Sequence, residues 1–298
     1  MDTIIDVVLD AIIDSAKILP FLFVTYLVME FLEHKTEEFT SNIVQKTEHF
    51  GPLWGGLIGA FPQCGFSAAA SNLYAGRVIT LGTLIAIYLS TSDEMVPLFI
   101  SSQVPLNTMI PVLVIKAVIG IVAGFIIDAV VHYYHKAHNQ KLDDPVRIEE
   151  LCEKEHCHCD DEESSGIIGI VKSAFVHTIH IFIFVLILTL VLGFVIEIIG
   201  HERLSMLLKT SPVISHILAG LIGLIPNCAA SVIITELYLD QMITLGTMLS
   251  GLLVGAGIGL LVLFRVNPEK KENINIALLL FVIGTVCGLL IDMLGITL

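Results

Sequence analysis

The chain has 298 residues, 55% of them hydrophobic, with a mean hydropathy of +0.87. That is too apolar for a soluble domain, so the bilayer is the solvent to reason with. The formal charge of −14 argues against nucleic acid or an anionic membrane surface as a partner, and fits attraction of cations at the loops and termini. The cysteines fall in apolar segments (Cys64, Cys228, Cys287) and in one polar stretch (Cys152, Cys157, Cys159), unlike a disulfide framework.

The acidic opening Met1-Asp2-Thr3-Ile4-Ile5-Asp6 lacks the basic n-region of a signal peptide and reads as mature sequence. Residues 3–17 set Asp6, Asp10 and Asp14 four apart on one helical face, largely opposite Ile and Leu. This predicts an interfacial amphipathic helix running into a span. A polar loop over 34–50 leads to an apolar segment, 52–75, interrupted by Pro62-Gln63-Cys64. Proline removes a backbone donor, and such a break is tolerated in a membrane only where protein or a cavity receives it. The run 78–102 then carries Ser90, Thr91, Ser92, Asp93 and Glu94 at its middle. Two carboxylates there cost about 2.5–3.5 kcal/mol each on insertion, so the run breaks or divides into two half-spans. Residues 106–133 read as a clean span containing Lys116, a Gly120/Gly124 packing step and Asp128 near its end. Lys116 is predicted either to pair with an intramembrane acid or to snorkel.

Residues 133–166 are the long hydrophilic stretch, and beyond them the pattern repeats. At a constant offset of 164, residues 56–83 align without a gap to 220–247, with 14 of 28 pairs identical. Pro62/Pro226, Cys64/Cys228, Ser67/Ser231 and Tyr74/Tyr238 are among them, and the same offset pairs Gly120, Gly124 and Asp128 with Gly284, Gly288 and Asp292. The domain reading is therefore a first transmembrane repeat over 1–133, a His/Cys/acid-rich linker over 134–166 and a second transmembrane repeat over 167–298. The second copy lacks the central acids: Asp93 and Glu94 align with Gly257 and Ile258. Paired Gly/Pro-interrupted segments at matching positions of two halves point to a transporter's binding site.

The fold class expected is an all-α polytopic membrane protein of two inverted repeats, with 8–10 spans and broken helices. Counting 78–102 and 242–264 as two short passes each gives five spans per half. That puts nine Lys and Arg on the linker side against three (Arg77, Arg203, Lys209) on the other, a bias that makes the linker cytoplasmic.

The FPQCG and IPNC breaks, the twice-used Ile-Thr-Leu-Gly-Thr and the run STSDEMVP resemble the ten-span heavy-metal exporter family, whose members are described as arsenic efflux permeases or manganese transporters. The likeness covers essentially the whole chain. It implies a multi-pass inner-membrane exporter without settling the ion.

Candidate substrate ligands are Cys64 and Cys228 at the equivalent breaks, with Gln63, Asn227, Ser67 and Ser231 beside them. Ser92, Asp93 and Glu94 form the polar cluster, with an exposed loop between two short spans as the competing reading, and Glu236 either supplies a carboxylate from the second half or sits at the interface. Thiolates suit soft species such as trivalent arsenic, whereas carboxylate and amide oxygens suit manganese. The competing readings are packing for the cysteines and helix capping for Gln63 and Asn227. In the linker, His132, His135, His138, Cys152, His156, Cys157, His158 and Cys159 offer a tetrahedral metal site; the competing reading is a solvated acidic loop.

No Walker A loop is present, so secondary transport by alternating access is expected, with a metal or metalloid ion and a coupled proton as partners and no cofactor or enzymatic chemistry. The alternatives are a carrier of an organic anion or other non-metal substrate, and a membrane sensor in which the linker is the active part.

Overall fold

The computed structural model describes residues 8–9, 11–13, 15–16, 19–20, 22–27, 50–61, 64–92, 94–137, 167–199 and 212–296. Ten helices are named here in chain order. In the first half they are α1 (Cys64–Ala75), α2 (Leu81–Ser90), α3 (Met95–Ser101) and α4 (Leu106–Ala137). After α5 (Ile167–Ile199) come α6 (Pro212–Gly223), α7 (Cys228–Leu239), α8 (Leu245–Val254), α9 (Ile258–Val266) and α10 (Lys270–Met293). A further helical stretch covers 50–59, and the described residues between 8 and 27 are helical; no strand occurs among the described residues.

Helices α2 and α8 form the buried centre, and α4 and α10 lie outside them. Nearly every residue of α2 and all of α8 are buried. By contrast α4 exposes Val114, Val118, Val122, Ile126 and Val130, and α10 exposes Ile274, Leu278, Val282, Val286 and Leu290. A stripe of apolar side chains every fourth residue is one helical face, and on a chain of this hydropathy that face meets lipid. The opposite, small-residue faces of α4 and α10 press onto α2 and α8. A Cβ at Gly124 would stand 2.5 Å from the Gly82 carbonyl, and one at Gly288 would stand 2.3 Å from that of Gly246.

Each of these seams is pinned by a carboxylate. Asp128 accepts from the Gly82 amide and the Thr80 hydroxyl, both at 2.8 Å. Asp292 accepts from the Gly246 amide at 2.8 Å and from the Thr244 hydroxyl. Thr80 and Thr244 are themselves the N-caps of α2 and α8, each accepting from an amide three residues on at 3.1 Å. The acids therefore satisfy first-turn donors and face the positive end of a half-helix. Asp128→Ala is expected to lower stability by about 1–2 kcal/mol, and Asp292→Ala by a similar amount. The two losses should add, because the seams are separate; unfolding midpoints in detergent check this.

The interrupted segments are helical hairpins. Gly55 packs on Thr83 and Gly59 on Ile87 and Ser90, so the 50–59 stretch runs in the same direction as α2. The chain must then return through α1 before entering α2. In the second half Ala219 and Gly223 pack along Gly251 and Gly255, so α6 runs parallel to α8, and α7 returns. The runs expected to be two short passes are instead single broken segments, since Leu81–Ser101 and Leu245–Val266 are each long and apolar enough to cross once. The hairpin therefore lies before the turn at Arg77 rather than after it.

The two central breaks are built differently. In the first, hydroxyls bond back to last-turn carbonyls: Ser90 Oγ donates to Ala86 at 2.8 Å and Thr91 Oγ1 to Ile87 at 2.7 Å, beside the Thr91 amide at 3.0 Å. In the second, Gly257 adopts φ 54° and ψ −142°, a conformation open to glycine alone.

Candidate functional site

Both breaks open onto one small cavity of about 10 Å³, room for about one water. The first half contributes Thr91, Ser92, Glu94, Met95 and Lys116 to its wall, and the second contributes Ser231, Leu252 and Gly255. Three predicted ligands thus meet there: Ser92 and Glu94 from the α2–α3 break and Ser231 from the first turn of α7. Ser92 is fully buried, and its Oγ donates to the Ser90 carbonyl at 3.0 Å. Glu94 occupies the N-cap position of α3 without a side-chain cap bond.

Lys116 is the unexpected member. It projects from the middle of α4, is 1% exposed, and donates to the Thr91 carbonyl and, at 3.0 Å, to that of Leu252. Those carbonyls belong to the C-terminal ends of α2 and α8, the negative ends of two half-helices. Snorkelling is therefore excluded for Lys116, and the main chain supplies acceptors that the sequence could not name.

The other predicted residues lie elsewhere. Ser67 is buried where α1 crosses α9, and a Cβ on Gly259 would stand 2.7 Å from the Ser67 Cβ. Next to it, Ser71 Oγ lies 2.7 Å from the Gly259 carbonyl and 2.7 Å from the Tyr88 hydroxyl, which lashes α1 of one half to α9 of the other. Asn227 caps α7, its Oδ1 accepting from the Ala229 amide at 3.0 Å. Cys228 is buried in an apolar cluster with Leu22, Tyr26, Ile258 and Val262. Glu236 is exposed on α7, away from the cavity. Cys64 opens α1, but its side chain lies outside the described residues, as do Gln63 and Asp93.

In the linker group, His132 is exposed near the end of α4. The His135 side chain and the whole of His138, Cys152, His156, Cys157, His158 and Cys159 lie outside the described residues. Among the described residues no three His, Cys, Asp or Glu gather closely enough to hold a metal.

A further cross-half contact sits at the end of α1. The Arg77 guanidinium makes a two-pronged ion pair with Glu272, 2.9 Å on each arm. Asn267 donates to the same carboxylate at 3.0 Å, and Arg77 also stacks over the Tyr74 ring at 5.1 Å. The sequence offered no signal for this pairing beyond a basic residue in a short turn.

No curated protein and no solved structure matches the chain. A family model described as "Putative, 10TM heavy-metal exporter" matches residues 1–199 and 162–297. Among the described residues five helices are long and apolar enough to cross a membrane, and the shorter apolar helices Val213–Gly223 and Cys228–Leu239 accompany them. The protein is multi-pass and membrane-embedded, and it belongs to this ten-transmembrane heavy-metal exporter family.

Proposed function

We propose that the chain is a secondary exporter that carries a metal or metalloid species out of the cytoplasm across the inner membrane, by alternating access between two inverted halves. The observation that carries this reading is the cavity where the first half's broken helix meets Ser231 and Gly255 of the second. Supporting the inversion, Arg77 pairs with Glu272 at the start of α10, while Thr244 and Gly246 meet Asp292 near its other end. Over 24 residues α10 is about 36 Å long, so the equivalent 76–80 and 240–244 connections sit at opposite faces. Placing Arg77 on the linker side turns nine against three into ten against two, which strengthens the case for a cytoplasmic linker. The His/Cys/acid linker then captures metal before export, and a proton carried on a carboxylate drives the cycle.

The described wall of the cavity is rich in oxygen: the hydroxyls of Thr91, Ser92 and Ser231 and the Glu94 carboxylate. Oxygen donors favour a hard divalent cation of the manganese class. In the sequence Asp93 and Gln63 are further oxygen donors of that class, and Cys64 and Cys228 carry the thiols that a trivalent arsenic species would need. One observation favours an organic anion instead, the Lys116 ammonium at the cavity wall.

Flux in proteoliposomes separates these readings, scanning manganese, zinc, arsenite and a methylated arsenical. Manganese is expected to move, with Glu94→Gln slowing it about tenfold or more, equivalent to about 1.4 kcal/mol. The Cys64→Ser/Cys228→Ser protein should keep most of its rate. Movement of an arsenical alone, lost in the double cysteine variant, would replace the oxygen site by the thiol site. No movement of any of the four would favour the organic anion.

A further inference from the structure

The cavity lies where two half-helices end, and the carbonyls at those ends already hold a positive charge. Half-helix C-termini and unwound carbonyls are what coordinate a transported cation in carriers built from discontinuous helices. Here the Thr91 and Leu252 carbonyls, one from each half, face the Lys116 ammonium, which walls the same cavity as Ser92, Glu94 and Ser231. The duplicated frame makes this lysine singular. Its counterpart at the offset of 164 is Leu280, fully buried and apolar. One lysine on the first half therefore bridges both halves, where duplication alone would leave two lysines or none.

We propose that Lys116 is a tethered cation that fills the carrier's cation position when no substrate is bound, and that a transported cation takes the Thr91 and Leu252 carbonyls from its ammonium. This rests on the exporter reading above. An ammonium and a divalent ion cannot both be held against the same two carbonyls, since like charges repel strongly where water is scarce. Binding and displacement are thus one event. The empty carrier returns across the membrane with its helix ends neutralised by Lys116, and the loaded carrier moves with Lys116 swung aside. Lys116 is a positioning residue of the transport cycle: it competes with substrate, and it completes the empty state.

The test uses Mn²⁺ as the probe on the full-length protein. In proteoliposomes, net Mn²⁺ efflux requires the empty carrier to return, whereas Mn²⁺/Mn²⁺ exchange does not. Lys116→Met is expected to cut net efflux about tenfold or more while exchange stays within about threefold of wild type. Its half-saturating Mn²⁺ should fall about tenfold, because the competitor is gone. In detergent, Mn²⁺ should raise the unfolding midpoint of Lys116→Met at correspondingly lower concentration than that of wild type. Should Lys116→Met fail to fold, Lys116→Arg keeps the charge and is expected to sustain net efflux with an altered half-saturation.

Equal loss of exchange and net efflux in a folded Lys116→Met protein would make the lysine a structural clamp and overturn the proposal. So would unchanged net efflux, or a net efflux lost in Lys116→Arg as fully as in Lys116→Met. If wild-type protein moves no Mn²⁺ but is protected by it, the exporter reading fails and the protection curves alone decide the role of Lys116. Wild-type protein that neither moves Mn²⁺ nor is protected by it overturns both.

Discussion

Gly82→Val is expected to remove most of the folded, monodisperse protein. A Cβ at position 82 would stand 2.2 Å from the Gly124 carbonyl oxygen and 2.4–2.5 Å from the Asp128 carboxyl group, and real side chains do not survive such separations. Because the nearest atom is main chain, no rotamer change relieves it; α2 and α4 would have to part. Parting them also breaks the two hydrogen bonds to Asp128 that start α2. The loss should exceed about 4 kcal/mol, the range reserved for overpacked or broken cores. Gly246→Val meets the same geometry, with the Gly288 carbonyl at 2.3 Å and Asp292 at 2.4–2.5 Å, and should fail alike. Asp128→Ala should not rescue Gly82→Val, because the Gly124 carbonyl remains. Size-exclusion profiles of detergent extracts read all three. A folded Gly82→Val protein would mean that the seam is looser than these distances state.

The second large effect concerns the bond between the halves. Arg77→Glu places two carboxylates where a two-pronged pair now sits, beside a Tyr74 hydroxyl that donates to Glu272. Both side chains are largely sheltered, 14% and 28% exposed. Loss of the pair and the new repulsion should together cost about 2–4 kcal/mol. The Arg77→Glu/Glu272→Arg protein should recover at least half of that, because a coupled pair in contact yields an interaction energy of about 1–3 kcal/mol in a double-mutant cycle. Recovery of the unfolding midpoint in detergent is the readout. Net flux should follow it, since this contact joins the α1–α2 connection of one half to α10 of the other. Single and double variants that are equally unstable would show that the pairing contributes only shape.

Much of this was legible in the chain because it is local. Pro226 lacks a donor and Asn227 supplies an acceptor, so the break before α7 is written in two adjacent residues. Ser90 and Thr91 bond to carbonyls three or four residues back and Ser92 to one two residues back, so the break after α2 is likewise a matter of neighbours. The repeated Ile-Thr-Leu-Gly-Thr was legible as a repeat, whereas its role as a capped helix start pinned by Asp128 and Asp292 came from the structure. Which arm of each half forms the hairpin was not legible, because a mid-segment break reads the same whether the chain continues or turns back. Gly55 and Gly59, packed in step along α2, and Ala219 and Gly223, packed along α8, fix that direction.

The sequence by itself determined that this is a duplicated, helical membrane protein with polar breaks at matching positions, since hydropathy, proline and hydroxyl placement act within a turn or two of helix. The tertiary structure decided which of those polar groups meet. It drew Ser92, Glu94 and Ser231 to one cavity, sent Ser67 and Asn227 to a helix crossing and a cap, and brought Lys116 to a carbonyl 136 residues away. Those meetings depend on the directions in which helices from two halves pack. In a chain whose segments are nearly all apolar, that packing is set by where glycines let backbones approach and where carboxylates pin them, which no periodicity along one strand of sequence records.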